Sequence, residues 1–487
     1  MNVINIMNFI RDIDERVENS KEILFNTTKK ELEMVRKYGY KSTFLLQYDA
    51  LLDEKYLNLF KDCGDNVEFG LWYEIVRPLT ESIGVPYDSE FGWIWDWHVK
   101  PGYPMSYPCD IRRKLIDEAM RKFKEVFGYY PKVVASWVID STTLNHLTDH
   151  YDIDMIAICR DQYNTDAYNL IGGYYPAYYP SRNNILTPGK GKTQINVPVF
   201  RLLGPCPLNN YDYGKYAQIY NEGCFTLEPV WPCGANPKYV DWAFKTIFKN
   251  KQLGWSYAQI GQENCFGTRD FLPALEMQLE KIKDLDNVNI LTMSETGRLF
   301  KKEYKETPAS AIYAINDHES GNVQALNYNS KYYTVGVLRY ENKIFIRYLY
   351  LFDDNVKEHY YDKECETFFA TYENLPIIET LTTEIGVGNL SIDDNASSFE
   401  VKHLSKDSVQ ITWNNGSIIL EPSLIRINKD SIQLPKGFHS IKNNRVQYEH
   451  DGHTYSIIIE GADIKENKYG ILVKAKNNQI TIGYDYK

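Results

Sequence analysis

The chain has 487 residues and a mass of 56.8 kDa, enough at about 150 residues per domain for roughly two to three domains. Its 43% hydrophobic and 24% charged residues are an ordinary globular mix, outside the composition of disordered chains. Against 54 Lys and Arg stand 65 Asp and Glu, a formal net charge of −11, which repels phosphate backbones and anionic lipid and makes nucleic acid and membrane surfaces poor partners. Aromatic content is high at 14%, with 39 Tyr and 9 Trp. Tyr and Trp favour sites where one end stays wet, so a broad aromatic-lined cleft is expected.

The opening residues, MNVINIMNFIRDIDERVENS, lack a basic flank, and Asn2, Asn5 and Asn8 interrupt the apolar run before Arg11 ends it. No secretion signal is expected from this pattern. Nowhere do about 18 apolar residues follow one another, which predicts no membrane-spanning helix. The cysteines (Cys63, Cys109, Cys159, Cys206, Cys224, Cys233, Cys265 and Cys365) are scattered without a CxxC pair. That suits reduced thiols in a cytoplasmic protein better than a disulfide frame or structural zinc, although a chain processed after export would read the same.

Up to about residue 305, short apolar runs alternate with helical patterns. STFLLQYDA (42–50) reads as a buried strand followed by a short helix around Asp53 to Cys63, and NVEFGLW (66–72) as a second strand. Beyond a Trp-rich loop, CDIRRKLIDEAMRKFKEVFG (109–128) sets Ile111, Leu115, Ile116, Ala119, Met120 and Phe123 at helical spacing and ends on Gly128, a suitable C-cap. Strands follow at PKVVASWVID (131–140), DMIAICRD (154–161), NVPVFRLLG (196–204), CFTLEPV (224–230), GWSYAQIGQE (254–263) and NVNILTMSE (287–295), with helices at TTLNHLTDHY and LPALEMQLEKIKDL. Repeated strand and helix over 300 residues predicts a parallel α/β barrel. After TPAS (307–310) the pattern becomes period-two alternation with turn signals at Asn415-Gly416 and Asp451-Gly452, an antiparallel β domain, most simply a sandwich. The expected division is residues 1–305 and 306–487. Only Trp413 among the nine tryptophans lies in the second part, so the cleft belongs to the barrel.

Barrel active sites lie at the C-terminal ends of strands, and polar residues close nearly every apolar run here: Asp49, Glu68 and Glu74, Asp140, Arg160 with Asp161 and Gln162, Arg201, Glu228, Gln262 with Glu263 and Asn264, and Glu295. A single carboxylate in such a place also suits a helix cap. In FGWIWDWHVKPGY (91–103), alternation would put Trp93, Trp95 and Trp97 on one face and Ile94, Asp96 and His98 on the other. Either a stacking wall or a hydrophobic lid fits. With Trp72, Trp137 and YYPAYYPS (174–181), the aromatics suit flat sugar faces while carboxylates and amides take hydroxyls, so carbohydrate is the inferred substrate class. His146 and His150 form an HxxxH pair on a polar helix away from the strand ends and are read as surface residues. Neither a GxSxG elbow nor a phosphate-binding loop occurs, and no organic cofactor is expected.

LLQYDALL, EFGLWYEI, WDWH, FGYYPKVVASWVID, ICRDQYNTD, GGYYPAYYPS, INVPVFRLLG, TLEPV, GQENCFG and TMSETG together resemble an uncharacterised bacterial family with a β-rich C-terminal part. That family is similar in barrel type to the glycoside hydrolase and polysaccharide deacetylase superfamily. The resemblance implies a distorted (β/α)7-type barrel and chemistry on a glycan. Deacetylases of this type carry a paired Asp ending the first strand and an HxxxH after the second, which hold a metal that activates water. Taken against the strands read above, a single Asp49 closes the first, and Trp72 and Val76 fall where the two histidines would be. This favours the hydrolase branch, which needs two carboxylates.

The sequence therefore predicts a glycoside hydrolase acting on an oligosaccharide or glycoconjugate, with no metal. Asp49, Asp140, Asp161 and Glu263 form the catalytic pool, and Asp161 with Glu263 is the preferred pair. Trp72, Glu74, Trp95, Asp96, His98, Trp137, Arg160, Gln162, Glu228 and Gln262 are the expected substrate-binding residues. Two rivals remain: a metal-dependent deacetylase with an altered site, using Asp49, Glu74, Asp96 and His98 as ligands, and a non-catalytic sugar-binding protein.

Overall fold

The structure is a computed structural model describing all residues except 164, 205, 209–223, 251, 381–389 and 485–487. Ten strands precede residue 305: β1 (Asn2–Ile10), β2 (Ser42–Leu46), β3 (Val67–Trp72), β4 (Val133–Ala135), β5 (Met155–Cys159), β6 (Tyr168–Ile171), β7 (Ala177–Tyr178), β8 (Val199–Leu202), β9 (Ser256–Ile260) and β10 (Val288–Ile290). Eight of them pair in parallel, seven in the order β9-β1-β2-β3-β4-β5-β8, with the short β10 beside the start of β1. No ladder joins β8 to β9 among the described residues; instead the Leu203 N–H donates to the Gln259 side chain at 3.0 Å across the gap. The result is an open, distorted seven-stranded barrel, the expected class. β2 and β5 are buried at every position, as strands covered on both faces must be.

Its membership differs from the sequence reading at two strands. β1 had been read only as a segment lacking a signal. Val3, Ile4, Ile6, Met7, Phe9 and Ile10 are all buried, and the intervening Asn5 and Asn8 find internal partners in Thr296 and Ser42, so the asparagines do not break the strand. Conversely, CFTLEPV is irregular: the Thr226 hydroxyl accepts from Glu228 N–H in a local turn, and Pro229 has no N–H to donate to a ladder. NVNILTMSE yields only the three residues of β10, because Thr292 and Glu295 form a capping box for the helix Met293–Glu303. The helix over Cys109–Phe127 is present, with Gly128 at φ 80° closing it.

Beyond residue 305 three antiparallel sheets follow. β11 (Ser310–Ala314), β12 (Val323–Asn329), β13 (Tyr333–Tyr340) and β14 (Lys343–Leu351) run in sequence, and after β15 (Ala370–Glu373) both β16 (Leu375–Ile378) and β17 (Leu390–Asp393) pair β14. Eleven more strands between Glu400 and Tyr484 make an eight-stranded and a three-stranded sheet, a sandwich-like arrangement. The turn at Asp451-Gly452 is as expected, with φ of 45° and 74°. The other is shifted by one residue: Trp413 pairs with Gly416, so Asn414 and Asn415 make the turn.

The two parts share a seam. β15 pairs in parallel with β6, and Ile312, Ala325 and Leu338 pack in one cluster with Ile4 and Ala258. Buried Arg112 donates to Asp140 and to the carbonyls of Tyr360 and Lys363. No helix among the described residues is long and apolar enough to cross a membrane.

Candidate active site

The C-terminal ends of β1, β3 and β9 meet around one guanidinium. Arg11 follows β1 directly. Its Nη2 lies 2.8 Å from Glu263 and 3.3 Å from Glu74, and its Cζ sits 3.9 Å above the Trp95 ring. Burial opposes its charge, but the two carboxylates and Cys265 outweigh that and raise its pKa. The backbone holds it there by a clamp, Arg11 N–H to Asn264 Oδ1 at 3.2 Å and Asn264 Nδ2 to Arg11 carbonyl at 2.8 Å. Glu263 reaches the same place because Gly261, at φ 115°, passes so close to β1 that a Cβ would stand 1.8 Å from the Met7 carbonyl oxygen. Only glycine allows that approach.

Glu74 is the anchored member of the group. It accepts from Gln47 at 2.6 Å and from the Trp95 indole at 2.9 Å besides Arg11, and burial raises its pKa against the pull of Arg11. Among the described residues Glu263 is held at one oxygen, where Oε2 takes Arg11 and the Cys265 thiol at 3.1 Å. The loop carrying Trp95 is fixed by Glu15, whose carboxylate accepts from Ile94 N–H at 2.6 Å and Trp95 N–H at 3.2 Å. Asp14 grips Arg16 at 2.8 and 2.7 Å, turning it over the same indole at 4.7 Å.

Arg11, Arg16, Glu74, Trp95 and Glu263 line a cavity of about 570 Å³ with Trp97, Tyr103, Trp137, Thr165, Asp166 and Tyr168. Asp166 is exposed at the cavity, and the walls around it, with the charge of Glu74, raise its pKa against the hydrogen bond from Gln162. The site thus offers three carboxylates, Glu74, Glu263 and Asp166, two cations, Arg11 and Arg16, and three indoles.

Of the sequence candidates, Glu74, Trp95, Trp137 and Glu263 line this cavity. Trp72 lies beneath it, 4.4 Å from Phe9 and 5.0 Å from Trp137 by ring centroid, and Gln162 stands behind Asp166 at 3.3 Å. The remainder are engaged elsewhere. Asp161 pairs with Arg201 at 2.6 Å and lines a different cavity with Arg160 and Arg347, at the seam with β12 to β14, so the structure does not bring it to Glu263. Arg160 donates to the Gly204 and Phe225 carbonyls. Gln262 braces Val230 and Glu228, and Glu228 takes the Trp231 indole. Asp96, fully buried, accepts from Ser89 and from both the backbone and ring of His98. The expected alternation of the Trp loop fails, because the segment is irregular: Trp95 turns inward, while Trp97 and His98, adjacent in sequence, stack at 4.0 Å.

Asp49 and Asp140 both act as caps. Asp49 accepts from Ala50, Asp12 and Ile13 N–H groups, and burial, with the charge of Asp12, pushes its pKa up to about 7. Asp140 caps the helix Ser141–His150 through Thr143 N–H at 3.0 Å and pairs with Arg112 at 3.1 Å, both side chains fully buried. Asp140→Ala would leave that buried guanidinium with backbone carbonyls but without its carboxylate and should cost about 3–5 kcal/mol of stability, while folded enzyme keeps its kcat; urea unfolding beside a rate assay checks both. The residues missed from the sequence are Arg11, Arg16, Tyr103 and Asp166. Arg11 was legible as the polar residue closing the run NVINIMNFI; Asp166, in an irregular loop before β6, carried no such signal.

Residues 29–201 match the model of a family described as a domain of unknown function with a solved structure (DUF3863). The fold is shared with a solved protein. A crystal structure from Parabacteroides distasonis, described as a candidate glycoside hydrolase/deacetylase, superposes with a TM-score of 0.60 at 14% identity, covering 79% of this chain and 92% of that one. The shared part therefore runs past the barrel into the β-rich region. Structures described as candidate polysaccharide deacetylases, from Mycobacterium smegmatis and Pseudomonas aeruginosa, give TM-scores of 0.38 and 0.37 at 13% and 11% identity, each over 62% of this chain and 91% and 92% of theirs. No curated protein matches by sequence.

The metal of the deacetylase pattern does not fit these residues. Since β1 is the first barrel strand, the acidic pair would fall on Arg11 and Asp12, not on Asp49. Arg11 is a cation, and Asp12 pairs with Lys21 at 2.6 Å. With the strands so counted, Trp72 ends the third strand and Val76 follows it, rather than the second, and QYDALLDEKY (47–56), which follows β2, holds no histidine. Among the described residues no three His, Cys, Asp or Glu side chains gather as a metal set, so Asp49, Glu74, Asp96 and His98 do not form one.

Proposed function

We propose that the chain is a carbohydrate-active hydrolase that works through side-chain carboxylates in the Arg11 cleft, with a glycoside as substrate. The observation carrying this reading is that Glu263 is tied by one oxygen to a buried guanidinium while it and Asp166 line one indole-walled cavity. In this reading Glu263, paired with Arg11 at 2.8 Å, acts as nucleophile or base. Asp166, whose pKa is raised above the ordinary carboxylate value, is in this reading the acid that gives a proton to the departing glycosidic oxygen. Glu74 positions Arg11, and Trp95, Trp97 and Trp137 take the apolar sugar faces. Asp161, preferred from the sequence, has no part in this pair. Residues 1–305 would carry the chemistry, and residues 306–487 would brace the barrel through the seam.

A panel of aryl glycosides and acetylated sugars tests the reading. Turnover of at least one glycoside is expected. Release of acetate alone would turn the reading to the deacetylase, and absence of any turnover would leave a binding protein.

A further inference from the structure

Outside the cleft, the loop that supplies Trp95 carries rings that the proposed reaction does not use. Phe91 stacks on Trp93 at 4.5 Å and 25°, and His98 stacks on Trp97 at 4.0 Å and 29°. From the β-rich part, Phe368 and Phe369 bring their edges to the His98 ring at 5.4 and 6.2 Å, held by Val99 N–H donating to the Phe368 carbonyl at 3.0 Å. Phe91 and Phe369 are 52% and 59% exposed, two of the most exposed large apolar side chains of the protein. Trp97 belongs both to this cluster and to the cavity wall, so the rings continue the cleft outward. A fixed, exposed aromatic cluster contiguous with a site is not explained by core packing.

We infer that these rings form a stacking platform for sugar units lying beyond the reacting one, and that the substrate is an extended neutral glycan chain. The inference rests on the carbohydrate reading above. Charge selects the class: the flanking loops carry Asp88, Glu90, Glu364 and Glu366 against Lys100 and Lys363, and Asp88 already pairs with Lys100 at 2.8 Å. An acidic rim repels a polyuronate and leaves a neutral chain free to lay its rings on the aromatic faces.

Native gel electrophoresis of the full chain through barley β-glucan, xylan, hydroxyethyl cellulose or polygalacturonate tests this. The wild type should be retarded in at least one neutral gel and not by polygalacturonate. The double variant Phe91→Ala/Phe369→Ala should bind that polymer about tenfold more weakly or worse, with an unchanged melting temperature because both side chains are exposed. Retardation of the double variant equal to the wild type, no retardation in any neutral gel, or a wild-type dimer that the double substitution dissociates would each overturn the platform. Retardation needs no turnover. Loss of the glycosidase reading with retardation kept would refute the reaction alone.

Discussion

Glu263→Gln is expected to lower kcat on the best glycoside by about 10³ or more, because the amide keeps the shape of the side chain and can act neither as nucleophile nor as base. The loss should appear in kcat rather than in KM, since the indoles and Tyr103 that line the cavity are untouched. Asp166→Asn should separate from it by leaving group. A substrate with a poor leaving group needs the proton and should slow as severely, whereas an activated nitrophenyl glycoside leaves unaided and should slow much less. In the wild type the rate should fall as pH rises through the raised pKa of Asp166, because only a protonated carboxyl can donate; in Asp166→Asn that alkaline fall should vanish. Asp161→Asn is the control. Its carboxylate belongs to Arg201 in another cavity, and kcat should stay within a few-fold.

Arg11→Met is expected to be the most destabilising single change in the cleft, at about 3–5 kcal/mol. It leaves Glu74 and Glu263, with side chains only 2% and 7% exposed, facing each other without their shared cation. The linkage gives the direction with pH. Burial raises the pKa of Glu74, and without Arg11 it must rise further, so the folded variant holds protons more tightly than its unfolded chain. Its stability should then fall as pH rises through the acidic range and recover on acidification. Adding Glu74→Gln to Arg11→Met should return part of the loss, by at least about 1 kcal/mol, because one of the two like charges is gone. Urea unfolding at two pH values reads all three expectations. A cost near zero for Arg11→Met would mean that the guanidinium is not what holds the carboxylates together.

The barrel and its β-rich partner were legible because parallel strands buried on both faces must be apolar throughout, as β2 and β5 are, and because half-exposed antiparallel strands must alternate. β1 was hidden by Asn5 and Asn8, whose burial depends on partners 291 and 34 residues away. That error moved the first strand's end from Arg11 to Asp49 and so concealed the centre of the cleft. Strand-end carboxylates were correctly located as a class, but sequence does not say whether one faces the cavity, as Glu263 does, or caps a helix, as Asp140 does. That choice is made by neighbours such as Thr143 and Arg112. Asp166 lies in irregular chain, where no periodicity marks a residue.

In the proposed reading a guanidinium, not a metal ion, organises this site. The most direct test is the turnover of the best glycoside by enzyme dialysed exhaustively against chelator, measured before and after Zn²⁺, Co²⁺, Mg²⁺ or Ca²⁺ is restored. Turnover should survive dialysis and remain within about twofold when any of the ions is added back, because Glu263 and Asp166 supply the proton chemistry themselves. Loss of turnover on dialysis, with recovery on adding one of the ions, would contradict the account.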